Sequence, residues 1–179
     1  MDPNLNPHLG RRSLLKLGLG ASLALSTVGL TASLSGCTSE RAAPHFKVLR
    51  ESDLPILTAL YPAIVGSHPT FAESPDAVNK ALAQLDWTLE RTSPFAQKAV
   101  LDLFGLLSMP LTRGPLTGVW GDMANASPEQ LEAFLQRWRD SRFDMLRQGS
   151  KTLSQLLLMS WYALPQSWAA AGYPGPPVI

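Results

Sequence analysis

The chain has 179 residues, 15 Lys and Arg against 14 Asp and Glu, and a single cysteine. One thiol excludes an internal disulfide framework, and balanced charge excludes the broad basic surface by which proteins hold nucleic acid. The length left after a leader of 37 residues is that of one domain with its own core.

Residues 10–20 read GRRSLLKLGLG. Arg11 and Arg12 are followed by Ser13, Leu14, Leu15 and Lys16, close to the twin-arginine export consensus. That signal addresses a chain to a translocase that moves folded cargo. The apolar stretch behind it, Leu17 to Leu30, is diluted by Gly18, Gly20, Ser22, Ser26 and Thr27. It is too short for a comfortable membrane span, which takes about 20 apolar residues. A general secretory signal with a chance arginine pair, or an uncleaved N-terminal anchor, are the alternatives. Leu34-Ser35-Gly36-Cys37 then resembles a lipobox, with Cys37 as the acylated thiol. Lipidation would account for a lone cysteine in an exported chain and attach it to a membrane. The alternative is ordinary signal-peptidase cleavage that leaves Cys37 removed or idle. The leader carries three cationic side chains and one anionic, so residues 38–179 have a formal charge of about −1.

Beyond the leader the chain reads as helices punctuated by Ser-Pro pairs, Ser74-Pro75, Ser93-Pro94 and Ser127-Pro128. In each, the hydroxyl can accept from an orphan helix amide, and proline at the first helical position sacrifices no bond. Gln130 stands where a capping box places its reciprocal acceptor. The periodicity predicts a first helix over 52–65, kinked or ended by Pro62, and a second over 74–90 with Val78, Ala81, Leu82, Leu85 and Leu89 in a stripe. A third, over 93–108, is apolar on most sides and is expected to be central and buried. Residues 109–126 read as a loop bearing Leu116, Val119 and Trp120. A long helix follows over 127–148, broken by Gly149, and a last one over 151–163 is stopped by Pro165. The only strand candidate, His45 to Leu49, is too short to build a sheet. The expected fold is all-α, an irregular bundle of about five helices, with segments 1–37 (leader), 38–165 (helical domain) and 166–179 (extended tail).

Chemistry-bearing residues are sparse. Two histidines, His45 and His68, stand alone past the leader, with no carboxylate or cysteine cluster at metal-ligand spacing. His68, in Gly66-Ser67-His68-Pro69, reads as an exposed loop residue. GPLTGVWG at 114–121 neither follows a strand nor opens a helix as a nucleotide fingerprint must. No catalytic, cofactor-binding or metal residue is therefore expected.

The tail, QSWAAAGYPGPPVI, cannot continue a helix, and an extended, donor-poor backbone of this kind suits docking into another protein's groove. Trp168, Tyr173, Pro174, Gly175 and Pro176 are its candidate partner-binding residues. The alternative is that Trp168 and Tyr173 pack back on their own bundle.

With its twin-arginine leader, small helical body, Trp168 and Gly172 to Pro176 tail, the chain resembles the small subunit of bacterial membrane-bound FAD-dependent dehydrogenases, of the gluconate 2-dehydrogenase subunit 3 or sorbitol dehydrogenase small-subunit type. The resemblance implies a subunit without cofactor. It would assist and export a large FAD-containing partner of the glucose-methanol-choline class, with a cytochrome c subunit as a further associate. Membrane attachment through Cys37 is not part of that implication. Two other classes remain open: a free-standing helical envelope lipoprotein with a structural or ligand-binding role, and an enzyme pairing His68 with Asp53 or Asp76.

Overall fold

The computed structural model describes residues 41–176, and Arg11, Arg12, Leu14, Leu15, Lys16 and Cys37 lie outside them. Among the described residues the fold is all-α, with seven α-helices and two 3-10 turns and no strand. The helices are α1 Asp53–Val65, α2 Thr70–Glu73, α3 Ala77–Glu90, α4 Pro94–Ser108, α5 Pro110–Thr117, α6 Pro128–Arg139 and α7 Asp144–Tyr162. The 3-10 turns are Met123–Asn125 and Pro165–Ser167. The stretch around His45 contributes one isolated bridge, Ala42 to Arg50.

The long C-terminal helix α7 packs on α3, α6 and α1, and α1 also meets α3, α4 and α6. Helix α3 buries Ala77, Ala81, Leu82, Leu85 and Leu89, a stripe at helical spacing, and α6 does the same with Leu131, Phe134, Leu135 and Trp138. Against them α7 sets Leu153, Leu157 and Trp161, and α1 sets Leu57, Leu60 and Tyr61. Each such side chain contributes about 1.5–3 kcal/mol by leaving water.

An aspartate interrupts the apolar face of α3. Asp86 is buried and accepts the backbone N–H groups of Lys47 (2.9 Å), Val48 (2.9 Å) and Leu49 (2.8 Å). One carboxylate thereby satisfies three amides of the segment leading into α1. A second carboxylate, Asp53, accepts from Arg50, whose guanidinium also donates to the Leu101 carbonyl of α4.

Several boundaries differ from the sequence-based expectation. Two short helices, α2 and α5, raise the count above five, and α5 occupies part of the supposed loop. There Pro110 takes the first helical position and Gly118, in the left-handed region at φ 82°, closes the helix. Pro62 does not end α1, which runs on to Val65. Ser74 is not the N-cap of α3 but the C-cap of α2, its amide donating to Thr70, and α3 opens at Ala77 behind Asp76. Ser93 and Ser127 do cap, through the Ala96 and Gln130 amides, and the Ser127–Gln130 capping box is complete.

Helix α4 is peripheral, not central: only Phe104 and Leu107 are buried, and Phe95 is 86% exposed. The expected 127–148 helix is two helices, separated at Asp140 to Phe143, and Gly149 does not break the chain but sits inside α7. Burial at Gly149 explains this, because its missing side chain makes room for the Trp138 indole.

Candidate docking surface

The C-terminal segment is built onto the end of α7. Ser167 is buried and donates its hydroxyl to the carbonyls of Trp161 (3.0 Å) and Leu164 (2.7 Å), and the Trp168 indole N–H donates to the Tyr162 carbonyl (2.8 Å). The Trp161 and Leu164 carbonyls also accept the Leu164 and Ser167 amides, so the Ser167 hydroxyl reinforces bonds already made, while the Trp168 indole caps the Tyr162 carbonyl at the end of α7. Thr70 of α2 donates to the Gln166 carbonyl, tying the same segment to the bundle.

From Trp168 to Gly172 the backbone is turned, with Gly172 (φ 69°) donating to Ala169 and Tyr173 donating to Trp168. From Tyr173 through Pro176 no regular hydrogen-bonded structure is formed, but Gly175 takes a positive φ of 98°, so the expected extended tail is not found over the described residues 166–176. The Tyr173 ring meets Trp168 edge-on at 5.4 Å, and Gly175 passes over the same indole, so these residues are brought together within the chain itself. Tyr173, Pro174 and Pro176 stay exposed.

His68 departs from the reading of an exposed loop residue. Its ring is half-buried among Phe71, Trp161 and Tyr162, at centroid separations of 6.5, 5.4 and 6.2 Å. Nδ1 accepts the Thr70 amide at 3.3 Å, which places the proton of the neutral ring on Nε2, and Nε2 is buried without a partner. No hydrogen bond or ion pair joins His68 to Asp53 or Asp76: Asp53 is held by Arg50, and Asp76 is an exposed residue before α3. What the fold brings to His68 is a groove of about 780 Å³, with apolar walls from Ala59, Phe71, Ala126 and Leu131 and the carboxylate of Glu132 at one side. The spacing in sequence gives no sign of this juxtaposition.

Tyr61 and Ser160 form the one buried polar pair between α1 and α7 among the described residues, at 2.7 Å. Ser160 donates to the Leu157 carbonyl, so Tyr61 is the donor to Ser160, and burial pushes the Tyr61 hydroxyl well above its ordinary range against the smaller opposing effect of that bond. The pair is buried beneath the surface, next to Trp161, to whose carbonyl the tail's Ser167 is bonded.

Among the described residues no group of three or more His, Cys, Asp or Glu is placed to hold a metal, and no helix is long and apolar enough to cross a membrane. Large apolar side chains, by contrast, are prominent on the outside: Phe95 of α4, Leu111 of α5, Trp120 beyond it, Phe143 and Met145 at the start of α7, and Met159 near its end. Comparison with protein-family models, with curated proteins and with solved structures found no match.

Proposed function

We propose that this chain is a non-catalytic small subunit that escorts a large FAD-containing dehydrogenase, acting on alcohols, polyols or sugar acids, through the twin-arginine translocase to the periplasm. The flavin belongs to the partner, and a cytochrome c subunit is a further associate. The exposed apolar side chains carry the reading. Phe95, Leu111 and Trp120 are each more than three-quarters exposed on a small protein, and large apolar side chains left in water are what a partner's surface would cover. A partner that must survive transit in a folded complex needs an apolar interface of this kind. The twin-arginine motif at Arg11 and Arg12 supplies the address, and the tail at Trp168, Tyr173, Pro174, Gly175 and Pro176 supplies a further contact. Cys37, if lipidated, would hold the assembly at a membrane.

The test is export of the partner. Replacing Arg11 and Arg12 by lysine in the full chain is expected to leave the flavoprotein, and its dehydrogenase activity, in the cytoplasm. Undiminished periplasmic activity with that variant would refute the escort role.

A further inference from the structure

Two recesses adjoin along α1 and α6, and they differ in character. One is the groove of about 780 Å³ beside His68, walled by Phe71, Ala126 and Leu131. The other, of about 710 Å³, is lined by Glu129, Glu132, Gln136 and Arg139 of α6 and by Ser150 and Ser154 of α7. Residues three, four and seven apart share one face of a helix, so this second recess presents one face of α6 to one face of α7. Ala63 of α1 and Glu132 of α6 line both recesses, which therefore run into each other as one groove. Its lips are exposed at Pro62, Gly66, Glu132, Gln136 and Arg139.

The polar groups along the groove indicate its occupant. Glu132, at the junction, takes part in no ion pair among the described residues. Two carboxylates, Glu129 and Glu132, face the groove against one guanidinium, Arg139, which donates to the Gln136 side-chain carbonyl and not to a carboxylate. The excess charge is negative, and a basic side chain would complement it. Ser150 is only 1% exposed, yet neither its hydroxyl nor that of Ser154 has a hydrogen bond among the described residues, although serines inside helices commonly bond back to the carbonyl four residues earlier. A hydroxyl both donates and accepts, which suits the alternating N–H and C=O groups of an extended backbone. A compact solute would meet either the apolar recess or the polar one, whereas a chain lying along the groove meets both in turn.

We propose that this groove holds an extended segment of the partner polypeptide. Its apolar side chains lie in the recess of Phe71 and Leu131, a lysine or arginine next to them pairs with Glu132, and the main chain beyond bonds to Ser150 and Ser154. Extended segments are recognised in this way, with main-chain bonds for affinity and pockets for selected side chains. The inference rests on the escort reading and names the surface through which it would operate.

The experiment places a photo-reactive p-benzoylphenylalanine at Gln136 in the full-length chain in its producing cells. The expected result is a cross-link to a different polypeptide, within a peptide that holds Lys or Arg beside apolar residues. Glu132→Lys should reduce that cross-link about tenfold, and changing the captured basic residue to glutamate should restore it in the Glu132→Lys chain. Recovery by charge exchange is a readout that a merely structural Glu132 would not give. Ala72→Trp, which fills the apolar recess from an exposed position, should weaken the cross-link severalfold. A cross-link indifferent to Glu132→Lys or not recovered by the exchange would overturn the proposal. So would a cross-link to a second copy, or a small molecule recovered from the groove in place of a polypeptide. Silence from position 136, with the flavoprotein still stranded by replacement of Arg11 and Arg12, would remove the groove and leave the escort reading standing. Capture of a polypeptide other than a flavoprotein, with export indifferent to the two arginines, would remove the escort reading and leave the groove.

Discussion

Gly149 lies directly beneath the indole of Trp138, and a Cβ at position 149 would stand 2.7 Å from Trp138 Cζ3. Trp138 cannot yield easily, being buried in α6 with its indole N–H bonded to the Leu116 carbonyl at 2.8 Å. The close crossing of α6 and α7 therefore depends on the absence of a side chain at 149. Gly149→Ala gains about 1 kcal/mol of helix propensity and loses about 1–3 kcal/mol through overpacking. The packing effect is expected to win, lowering the thermal midpoint in a circular-dichroism melt. An unchanged or higher midpoint would show that α6 can move aside.

Asp86 holds the segment before α1 by three amide bonds, so its loss should act locally first. Asp86→Ala leaves three amides without their acceptor and is expected to cost about 2–3 kcal/mol. Hydrogen exchange should accelerate at Lys47, Val48 and Leu49 before the amides of α7 respond. Uniform acceleration through the core would instead mean that the segment and the bundle unfold as one.

Tyr61→Phe removes the hydroxyl that donates to Ser160 and should cost about 1 kcal/mol at neutral pH. The folded protein raises the Tyr61 pKa, so this residue's contribution is complete below the unfolded value of about 10 and is lost as pH rises toward the folded one. The stability gap between wild type and Tyr61→Phe should accordingly narrow from about pH 10 upward. Denaturant melts across that range measure it, and a gap that widens would contradict the assignment.

Glu90 shows the opposite sign at the surface. Its hydrogen bond from Lys47 holds the carboxyl below the usual carboxylate range, so the associated stability is present above the unfolded pKa and fades as pH falls through the folded one. The pair is exposed, and its worth is small. Glu90→Gln should differ from wild type slightly at neutral pH and not at all in strong acid, in paired thermal melts.

Trp168→Ala would remove the cap on the Tyr162 carbonyl and the platform under Tyr173 and Gly175 together. The bundle should melt within about 1–2 kcal/mol of wild type, because the indole is only half-buried. Residues 168–176 should become much more sensitive to limited proteolysis. Resistance equal to wild type would mean that the turn at Ala169 to Gly172 holds the segment unaided.

The all-α class was legible from the helical stripes, and the stripe of α3 and the caps at Ser93 and Ser127 lie where local chemistry places them. What failed to show was tertiary in origin. Gly149 has the signature of a helix breaker, and only the neighbouring Trp138 turns it into a packing residue. Helix α4 is apolar around most of its circumference, and nothing local says that only one side finds neighbours. Asp86 and Arg113 resemble ordinary surface charges until the fold buries them, one satisfied by a distant loop and the other donating from Nη1 to the Ser108 carbonyl. Of the tail residues, the sequence indicated correctly that no helix could continue, but the seating of Trp168 on the end of α7 depends on a carbonyl six residues back.

The adjacency of α1 and α7, joined by Tyr61 and Ser160 across 99 positions of sequence, bears on when this molecule can fold. A ribosome releases the N-terminus first, so α1 emerges well before α7, its partner in the core. Nascent chains must hold the apolar faces of α1, α3 and α6 uncovered until α7 has emerged, a window in which chaperones can act on them.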